Sequence, residues 1–398
     1  MRSFWGKAHF PLELPDFPAP RPGAREVVVV ALLLLLWTLG GVLAGCQGRR
    51  PTVLPAAPGP TPAASVLSAS GETPAPSPYW PTQGWRTATP AEQGMDAAKL
   101  ALMLDSVRQQ NLGLDSLLVI RNGYIVSETY FRSSTPDTRH ELYSVTKSFI
   151  ATLVGIAIDK GIISGVERPV GDFFADRPFE NWDAAKQAMT LEDLLTMTTG
   201  LAWTEGDAAY RQLYGSRDWV KFMMDKPMRS QPGSEFNYCS GCSHVLSAIL
   251  QQQAGMNTRD FAQRELFGPL GIADAAWDTD AMGIPIGGWG LQVTPRDMAK
   301  LGYLYLHGGG WDGQQIVSPG WVKAATQKHT GTDGELGYGY QWWTYPRWGA
   351  YAALGRYGQT IFVVPGLNLI VVTTAALEGH DPIFDLIEQY IVPAVEPS

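Results

Sequence analysis

Two pairs of short segments rich in apolar and β-branched residues lie far apart in the chain. Residues 115–120 and 124–130 have the composition that is typical of strands, and Asn122-Gly123 between them favours a tight hairpin turn. Residues 360–364 and 367–373 show the same pattern around a Pro-Gly turn. The sequence therefore predicts two β-hairpins, one on either side of a long middle region.

Helical spacing of the apolar positions predicts helices before, between and after these hairpins. The predicted helices cover residues 97–110, 149–158, 191–197, 245–250, 295–303 and about 382–392. Asp96, Thr190 and Thr294 stand at positions where N-caps are expected. Residues 149–158 are almost entirely apolar, so this helix is expected to be buried.

The order of these elements favours an α+β fold. The two hairpins would form an antiparallel sheet flanked by the N- and C-terminal helices, and the middle of the chain would form a mainly helical region. A cleft is expected where the sheet meets the helical region, because substrate sites commonly lie at such junctions.

The N-terminal segment differs in composition from the rest of the chain. Residues 27–45 are apolar and uncharged and follow Arg21 and Arg25, which predicts an export signal or a membrane anchor over residues 1–46. The ending Leu-Ala-Gly-Cys46 resembles the bacterial lipoprotein signal, in which Cys46 would be lipidated, but the run is also long enough to remain as an uncleaved anchor. Either alternative predicts an exported protein tethered to the membrane, on its periplasmic or extracellular face.

Composition divides the remaining chain into a spacer and a folded domain. Residues 47–90 are rich in Pro, Ala and Ser and predict a linker, and residues 91–398 predict one domain. The net charge of −8 argues against a nucleic-acid partner. We found neither a phosphate-binding glycine loop nor a cluster with metal-ligand spacing, so no cofactor and no metal are expected.

Ser144 and Lys147 are the first candidates for chemistry. In a helix, residues three apart share one face, so the Lys147 amine could take the proton of a Ser144 nucleophile. The buried helix that follows would hold the serine rigidly, and backbone N–H groups near its start could stabilise an oxyanion. The alternative is that Ser144 is only an N-cap and Lys147 a solvated charge.

Two further stretches could complete a site. Tyr238 stands at a loop-to-helix corner, where a phenol can shuttle protons if a nearby cation lowers its pKa. In Gly355–Gln359, glycines flank a basic residue before a strand, which would let a substrate backbone approach closely. A packed aromatic and a plain glycine-rich turn are the respective alternatives.

Cysteine and histidine residues near these stretches are weaker candidates. Cys239 and Cys242 have the spacing of a local disulfide but lack the second pair of a zinc site, so we interpret them as a structural or free pair. His140 and His244 have no matched acid in the sequence, and we expect surface or corner positions for both.

Taken together and in this order, the three stretches resemble the serine β-lactamase and penicillin-binding-protein superfamily. The branch they resemble contains the class C β-lactamases, family VIII carboxylesterases and 6-aminohexanoate-dimer hydrolases. Ser144 and Lys147 match the Ser-x-x-Lys motif, and Tyr238 matches the tyrosine of Tyr-x-Asn, with Ser240 in place of the asparagine. Arg356-Tyr357-Gly358 stands where the superfamily has Lys-Thr-Gly or His-x-Gly.

The resemblance implies a β-lactamase/transpeptidase-like fold and an acyl-enzyme mechanism. Ser144 would attack a carbonyl, Lys147 and Tyr238 would move the proton, and backbone N–H groups of Ser144 and Gln359 would hold the oxyanion. The residues implied in binding a small amide or ester substrate are Ser240, Arg356, Tyr357 and Gly358.

The departures from the second and third motifs change the expected substrate. They argue against efficient β-lactam hydrolysis and favour an esterase or an amidase that cleaves short oligomers. They also motivate a second hypothesis, a catalytically silent protein that binds peptidoglycan fragments or a partner protein.

Overall fold

The structure, a computed structural model, describes residues 79–332 and 334–396. Its strands are β1 (Leu114–Arg121), β2 (Tyr124–Tyr130), β3 (His140–Glu141), β4 (Ala276–Trp277), β5 (Leu291–Val293), β6 (Gly310–Trp311), β7 (Gln314–Gln315), β8 (Thr330–Gly331), β9 (Gly337–Tyr338), β10 (Trp343–Tyr345), β11 (Ala350–Gly355), β12 (Gln359–Val364) and β13 (Leu369–Ala375).

The helices lie before, between and after these strands. They are α1 (Ala97–Gln109), α2 (Thr146–Asp159), α3 (Ala184–Ala188), α4 (Leu191–Thr196), α5 (Asp207–Gly215), α6 (Trp219–Met224), α7 (Ser240–Ala254), α8 (Thr258–Ala262), α9 (Gly268–Leu270), α10 (Pro295–Leu306), α11 (Pro319–Thr326), α12 (Asp381–Leu386) and α13 (Val392–Ala394). Turns of π-helix over Gln263–Phe267 and Ile387–Ile391 join α8 to α9 and α12 to α13.

An eight-stranded antiparallel sheet forms the framework, in the order β2-β1-β13-β12-β11-β10-β9-β8. Both predicted hairpins, β1–β2 and β12–β13, are confirmed, and β1 pairs with β13 to join them. The remaining four strands come from residues 330–355, where β8 and β9 are only two residues long. Segments as short as β8 and β9 carry no readable pattern, and the sequence analysis also did not predict β10 or the six-residue β11, so it predicted half of the sheet.

Helices cover both faces of this sheet. Neighbouring side chains on β12 point to opposite faces, so the contacts of Ile361 and Phe362 show which helix packs on each face. On one face, α10 packs so closely that a Cβ on Gly302 would lie 2.9 Å from Ile361. On the other face, Phe362 contacts Phe384 of α12 at 6.2 Å between ring centroids. The α+β prediction is confirmed, but α10 packs on the sheet instead of joining the middle helical region where its chain position suggested it would lie.

The three predicted N-caps, Asp96, Thr190 and Thr294, each accept a backbone N–H at the start of their helices. The Asp96 carboxylate accepts from the backbone N–H of Ala98 at 2.8 Å, which satisfies a donor that α1 itself leaves unpaired. At α4, Thr190 and Asp193 form a capping box. Helix α2 is buried along nearly its whole length, as its apolar sequence predicts.

Part of the segment predicted as a linker packs on the domain. Trp80 lies against the ring of Tyr303 at 5.7 Å, and the indole N–H of Trp85 donates to the Arg296 carbonyl at 3.0 Å. Residues 1–78, which include the apolar run and Cys46, lie outside the described residues. Within the described ranges, we find no helix whose length and hydrophobicity would allow it to span a membrane.

Candidate active site

Ser144 lies in a tight turn that begins the buried helix. The turn, Tyr143–Val145, is 3₁₀-helical and runs directly into α2. Tyr143 has a φ of 46°, a left-handed conformation that is strained for a residue with a side chain and is common at functional sites. Strand β11 packs closely against the same turn. The approach is so close that a Cβ on Gly355 would overlap the carbonyl oxygen of Leu142.

The Lys147 side chain ends one turn behind Ser144, as the spacing predicts. Its Nζ lies 2.8 Å from Ser144 Oγ, 2.9 Å from Ser240 Oγ and 2.8 Å from the Gly288 carbonyl oxygen. The side chain is only 1% exposed. Burial lowers the pKa of Lys147 from 10.5 to about 7, against the opposing influence of the Glu205 carboxylate. An amine with such a pKa is largely neutral at slightly alkaline pH and can act as a base.

Tyr238 completes a three-residue constellation around the serine. Its hydroxyl hydrogen-bonds with Ser144, and the Lys147 Nζ lies 4.8 Å from the centre of its ring. The ring stacks on Trp343 at 5.9 Å. We expected a nearby cation to lower the pKa of Tyr238, but burial raises it above its usual value of 10. Tyr238 is therefore a neutral phenol that can donate a proton, and the basic group of the pair is Lys147.

Ser240 lies inside this constellation, where the superfamily has asparagine. It is 1% exposed, and its hydroxyl donates to the Glu205 carboxylate while it accepts from Lys147. The Glu205 carboxylate also accepts from the Ser240 backbone N–H at 3.0 Å and from the Tyr210 hydroxyl. The direct contacts of Ser240 are thus with the candidate base Lys147 and with Glu205 and Tyr210, and a contact with substrate stays a prediction.

Sequence reasoning missed Glu205, Tyr210 and the Gly288 carbonyl. Glu205 and Tyr210 lie between α4 and the end of α5, and Gly288 lies in the loop before β5. The available signal was two acidic residues, Glu205 and Asp207, in the segment between Trp203 and Tyr210, which by themselves point to no particular chemistry. A backbone carbonyl leaves no signature in a sequence.

The third stretch lies beside the Ser144 turn, at the connection between β11 and β12. The Tyr357 ring packs against Tyr143 at 5.2 Å, and Tyr357 itself has a φ of 64°. Arg356 lies over the Tyr357 ring, and no described residue accepts from its buried Nη1. The structure brings this stretch next to the Ser144 turn, and a contact of Arg356 with substrate stays a prediction.

The glycines of this stretch serve the packing of the protein itself. Gly358 has a φ of 91°, and a Cβ there would lie 2.9 Å from Ile383. Its carbonyl accepts from the Thr373 hydroxyl at 2.7 Å. The Gln359 side chain points into the fold and donates to the Ala375 carbonyl at 2.8 Å. Packing within the protein is one reason for glycine at position 358; close approach of a substrate backbone and the oxyanion role of the Gln359 N–H both stay predictions.

The cysteines and histidines near the site have structural partners. Cys239 and Cys242 form a buried disulfide at the start of α7, directly between Tyr238 and the rest of that helix. The expected surface or corner position is wrong for His244, which is fully buried and pairs with Asp280 at 3.1 Å. The acid stands 36 residues later in the chain, too far for sequence inspection to match the two.

A family model described as Beta-lactamase matches residues 92–394. The chain therefore belongs to the beta-lactamase family, which confirms the predicted superfamily and its class of enzyme, the serine hydrolases. A curated relative, the 6-aminohexanoate-dimer hydrolase of Paenarthrobacter ureafaciens, is 28% identical over 74% of this chain and 81% of the relative.

Solved structures agree on the fold. A family VIII carboxylesterase is 17% identical and has a TM-score of 0.62, with 77% of this chain and 99% of that chain covered. A penicillin-binding protein homologue from Pyrococcus abyssi is 19% identical and has a TM-score of 0.60, with 76% and 78% covered. These similarities confirm a β-lactamase/transpeptidase-like fold.

Proposed function

We propose that the protein hydrolyses ester or amide bonds of small substrates through an acyl-enzyme on Ser144. The observation that carries the proposal is the buried Lys147, whose Nζ lies 2.8 Å from Ser144 Oγ and whose pKa is lowered to about 7. A lysine with these properties suits a general base at near-neutral pH and is costly to bury for structural reasons alone.

The chemistry follows from the contacts of these side chains. Neutral Lys147 accepts the Ser144 proton as Ser144 Oγ bonds to the substrate carbonyl carbon. The Tyr238 hydroxyl, hydrogen-bonded to Ser144, donates to the leaving group and is reprotonated from Lys147. We assign the oxyanion to the backbone N–H groups of Ser144 and Gln359, which the approach of β11 to the Ser144 turn supports. Water then releases the acyl group by the reverse proton route.

The surroundings of Ser144 favour a substrate with apolar and anionic parts. The rings of Tyr143, Tyr357 and Tyr238 would contact an apolar chain. Arg356 offers a carboxylate a buried N–H that no described residue accepts. Short amides with a terminal carboxylate, the chemistry in the name of the 6-aminohexanoate-dimer hydrolase relative, fit this description and accompany simple esters as our candidate substrates.

Hydrolysis assays with a chromogenic ester and a chromogenic anilide test the proposal. We expect the wild-type protein to cleave the ester and Ser144→Ala to be inactive. The matched control is Ser148→Ala, which removes the hydroxyl that α2 directs at the Gln341 carbonyl and should retain turnover. A wild-type protein that binds the substrates but cleaves none would instead favour the silent binding protein.

The cellular location is a separate proposal that rests on residues 1–46. The apolar run and Leu-Ala-Gly-Cys46 support an exported, membrane-tethered enzyme with Cys46 as the lipidation site. Detergent phase partitioning of wild type and Cys46→Ser from expressing bacteria tests it. Lipidation predicts that the substitution moves the protein to the aqueous phase, whereas an uncleaved anchor predicts no change, and a wild-type protein already in the aqueous phase contradicts tethering.

A further inference from the structure

A chain of hydrogen bonds runs from the candidate nucleophile to a carboxylate. Ser144 contacts Lys147, Lys147 contacts Ser240, and the Ser240 hydroxyl donates to Glu205. Among the described residues, the other hydrogen-bond partners of Glu205 are the Ser240 backbone N–H, the Tyr210 hydroxyl and the Trp203 indole, so it hydrogen-bonds to neither Ser144 nor Lys147. All four groups are donors, as a carboxylate requires.

We propose that Glu205 is a positioning residue that acts through Ser240 to aim the lone pair of Lys147 at Ser144. The inference rests on the proposed function, since it concerns how the base of that reaction is oriented. Glu205 contacts neither the nucleophile nor a substrate in this role.

The argument depends on the number of protons each group carries. A neutral lysine amine has two N–H donors and one lone pair, and Lys147 has three partners. The Gly288 carbonyl can only accept, so it takes one N–H. Ser240 has a single hydroxyl proton, which the carboxylate of Glu205 takes, so Ser240 also accepts from Lys147. The lone pair is then left for Ser144, which is the direction that removes the serine proton.

Without the carboxylate, this direction is no longer determined. Ser240 could rotate its proton onto the Lys147 lone pair, and the base would then be occupied by the wrong serine. The carboxylate has a second effect through its charge, because it raises the pKa of Lys147 against the larger lowering by burial. Loss of Glu205 should therefore reduce turnover and also lower the pKa of Lys147.

The test uses Glu205→Gln in the full chain, with kcat and KM for a chromogenic ester measured from pH 5 to 10. We expect kcat to fall about 10- to 100-fold, part of the contribution typical of a general base. KM should change little, and the acid limb of kcat/KM should move to lower pH. Glu205→Asp, which keeps the charge, should recover part of the rate and the wild-type limb.

Two variants keep the test decisive. Glu192→Gln removes another carboxylate that accepts from a tyrosine hydroxyl, that of Tyr340, and should leave the pH profile unchanged. Ser240→Ala breaks the same chain while leaving Glu205 its three other donors, and it substitutes for Glu205→Gln if that variant does not fold. Its kcat should fall in the same way.

The outcomes separate this inference from the proposed function. A folded Glu205→Gln with wild-type kcat and an unmoved acid limb overturns the positioning role while Ser144 chemistry stands. A wild-type protein that neither turns over nor is acylated at Ser144 overturns both.

Discussion

Replacing Lys147 by methionine should make the protein inactive and more stable. Methionine is unbranched and of similar length, so it can fill the space of the lysine stem within α2. The lowered pKa of Lys147, about 7 against 10.5 for an ordinary lysine, corresponds to about 5 kcal/mol of folding free energy lost when the side chain is buried. The substitution removes this cost.

The gain is partly offset by lost hydrogen bonds. Nζ contacts Ser144, Ser240 and Gly288, and each contact contributes on the order of 1 kcal/mol. We therefore expect Lys147→Met to be about 1–2 kcal/mol more stable than wild type at pH 7. Hydrolysis should fall by about 10²- to 10⁴-fold, because the general base is gone.

The pH dependence of the difference gives the sharper test. Below pH 7 the lysine is charged in the unfolded chain and increasingly also in the folded protein. The full free-energy cost of burying Lys147 is then present. Between pH 7 and 10.5 the unfolded state still binds a proton that the folded state has released, so wild-type stability rises with pH. The advantage of Lys147→Met should shrink by about 1.4 kcal/mol per pH unit over this window and reverse near about pH 8.

Urea unfolding at pH 7 and pH 10 measures both quantities. Lys300→Met serves as the control, since Lys300 is also buried but pairs with Asp297 at 2.9 Å, and its loss should destabilise the protein. The reasoning is refuted if Lys147→Met is less stable than wild type at pH 7, or if the difference does not change with pH.

Three further perturbations test other parts of the site. Tyr238→Phe should lower kcat by about 10²-fold while the acid limb near pH 7 remains, because the proton donor is lost and the base is kept; a shifted limb would contradict this assignment. Replacing both cysteines, Cys239→Ser with Cys242→Ser, should lower the free energy of unfolding by about 2 kcal/mol, as expected for so short a loop. Thermal unfolding beside a reduced wild type measures the loss, and an unchanged midpoint would show that the disulfide does not constrain the start of α7. Gly355→Ala should reduce activity and stability together, because the new methyl group overlaps the Leu142 carbonyl; wild-type activity would show that β11 can move away from the Ser144 turn.

Local patterns in the sequence were enough to predict the parts of the fold that depend on near neighbours. The Asn122-Gly123 hairpin, the Asp96 cap of α1 and the burial of α2 each follow from a few adjacent residues. The pairing of β1 with β13 and the position of α10 on the sheet depend on contacts between distant segments, which no local pattern encodes.

The same distinction applies to the site. Ser144 and Lys147 could be predicted together because helical spacing alone brings them within reach, and Tyr238 could be added through the family resemblance. Glu205 escaped notice because its role depends on four donors that converge on it only in the folded chain. The raised pKa of Tyr238 could not be predicted either, since it results from burial among rings supplied by other elements.

Acylation by a fluorophosphonate, followed by intact-mass measurement and peptide mapping, tests the central claim most directly. The wild-type protein should gain one adduct on the peptide that contains Ser144, and the labelling rate should rise as pH increases through about 7, where Lys147 loses its proton. Ser144→Ala should not be labelled, and Lys147→Met should be labelled slowly at every pH. An adduct on another residue, or equal labelling of wild type and Ser144→Ala, would contradict the assignment of Ser144 as the nucleophile.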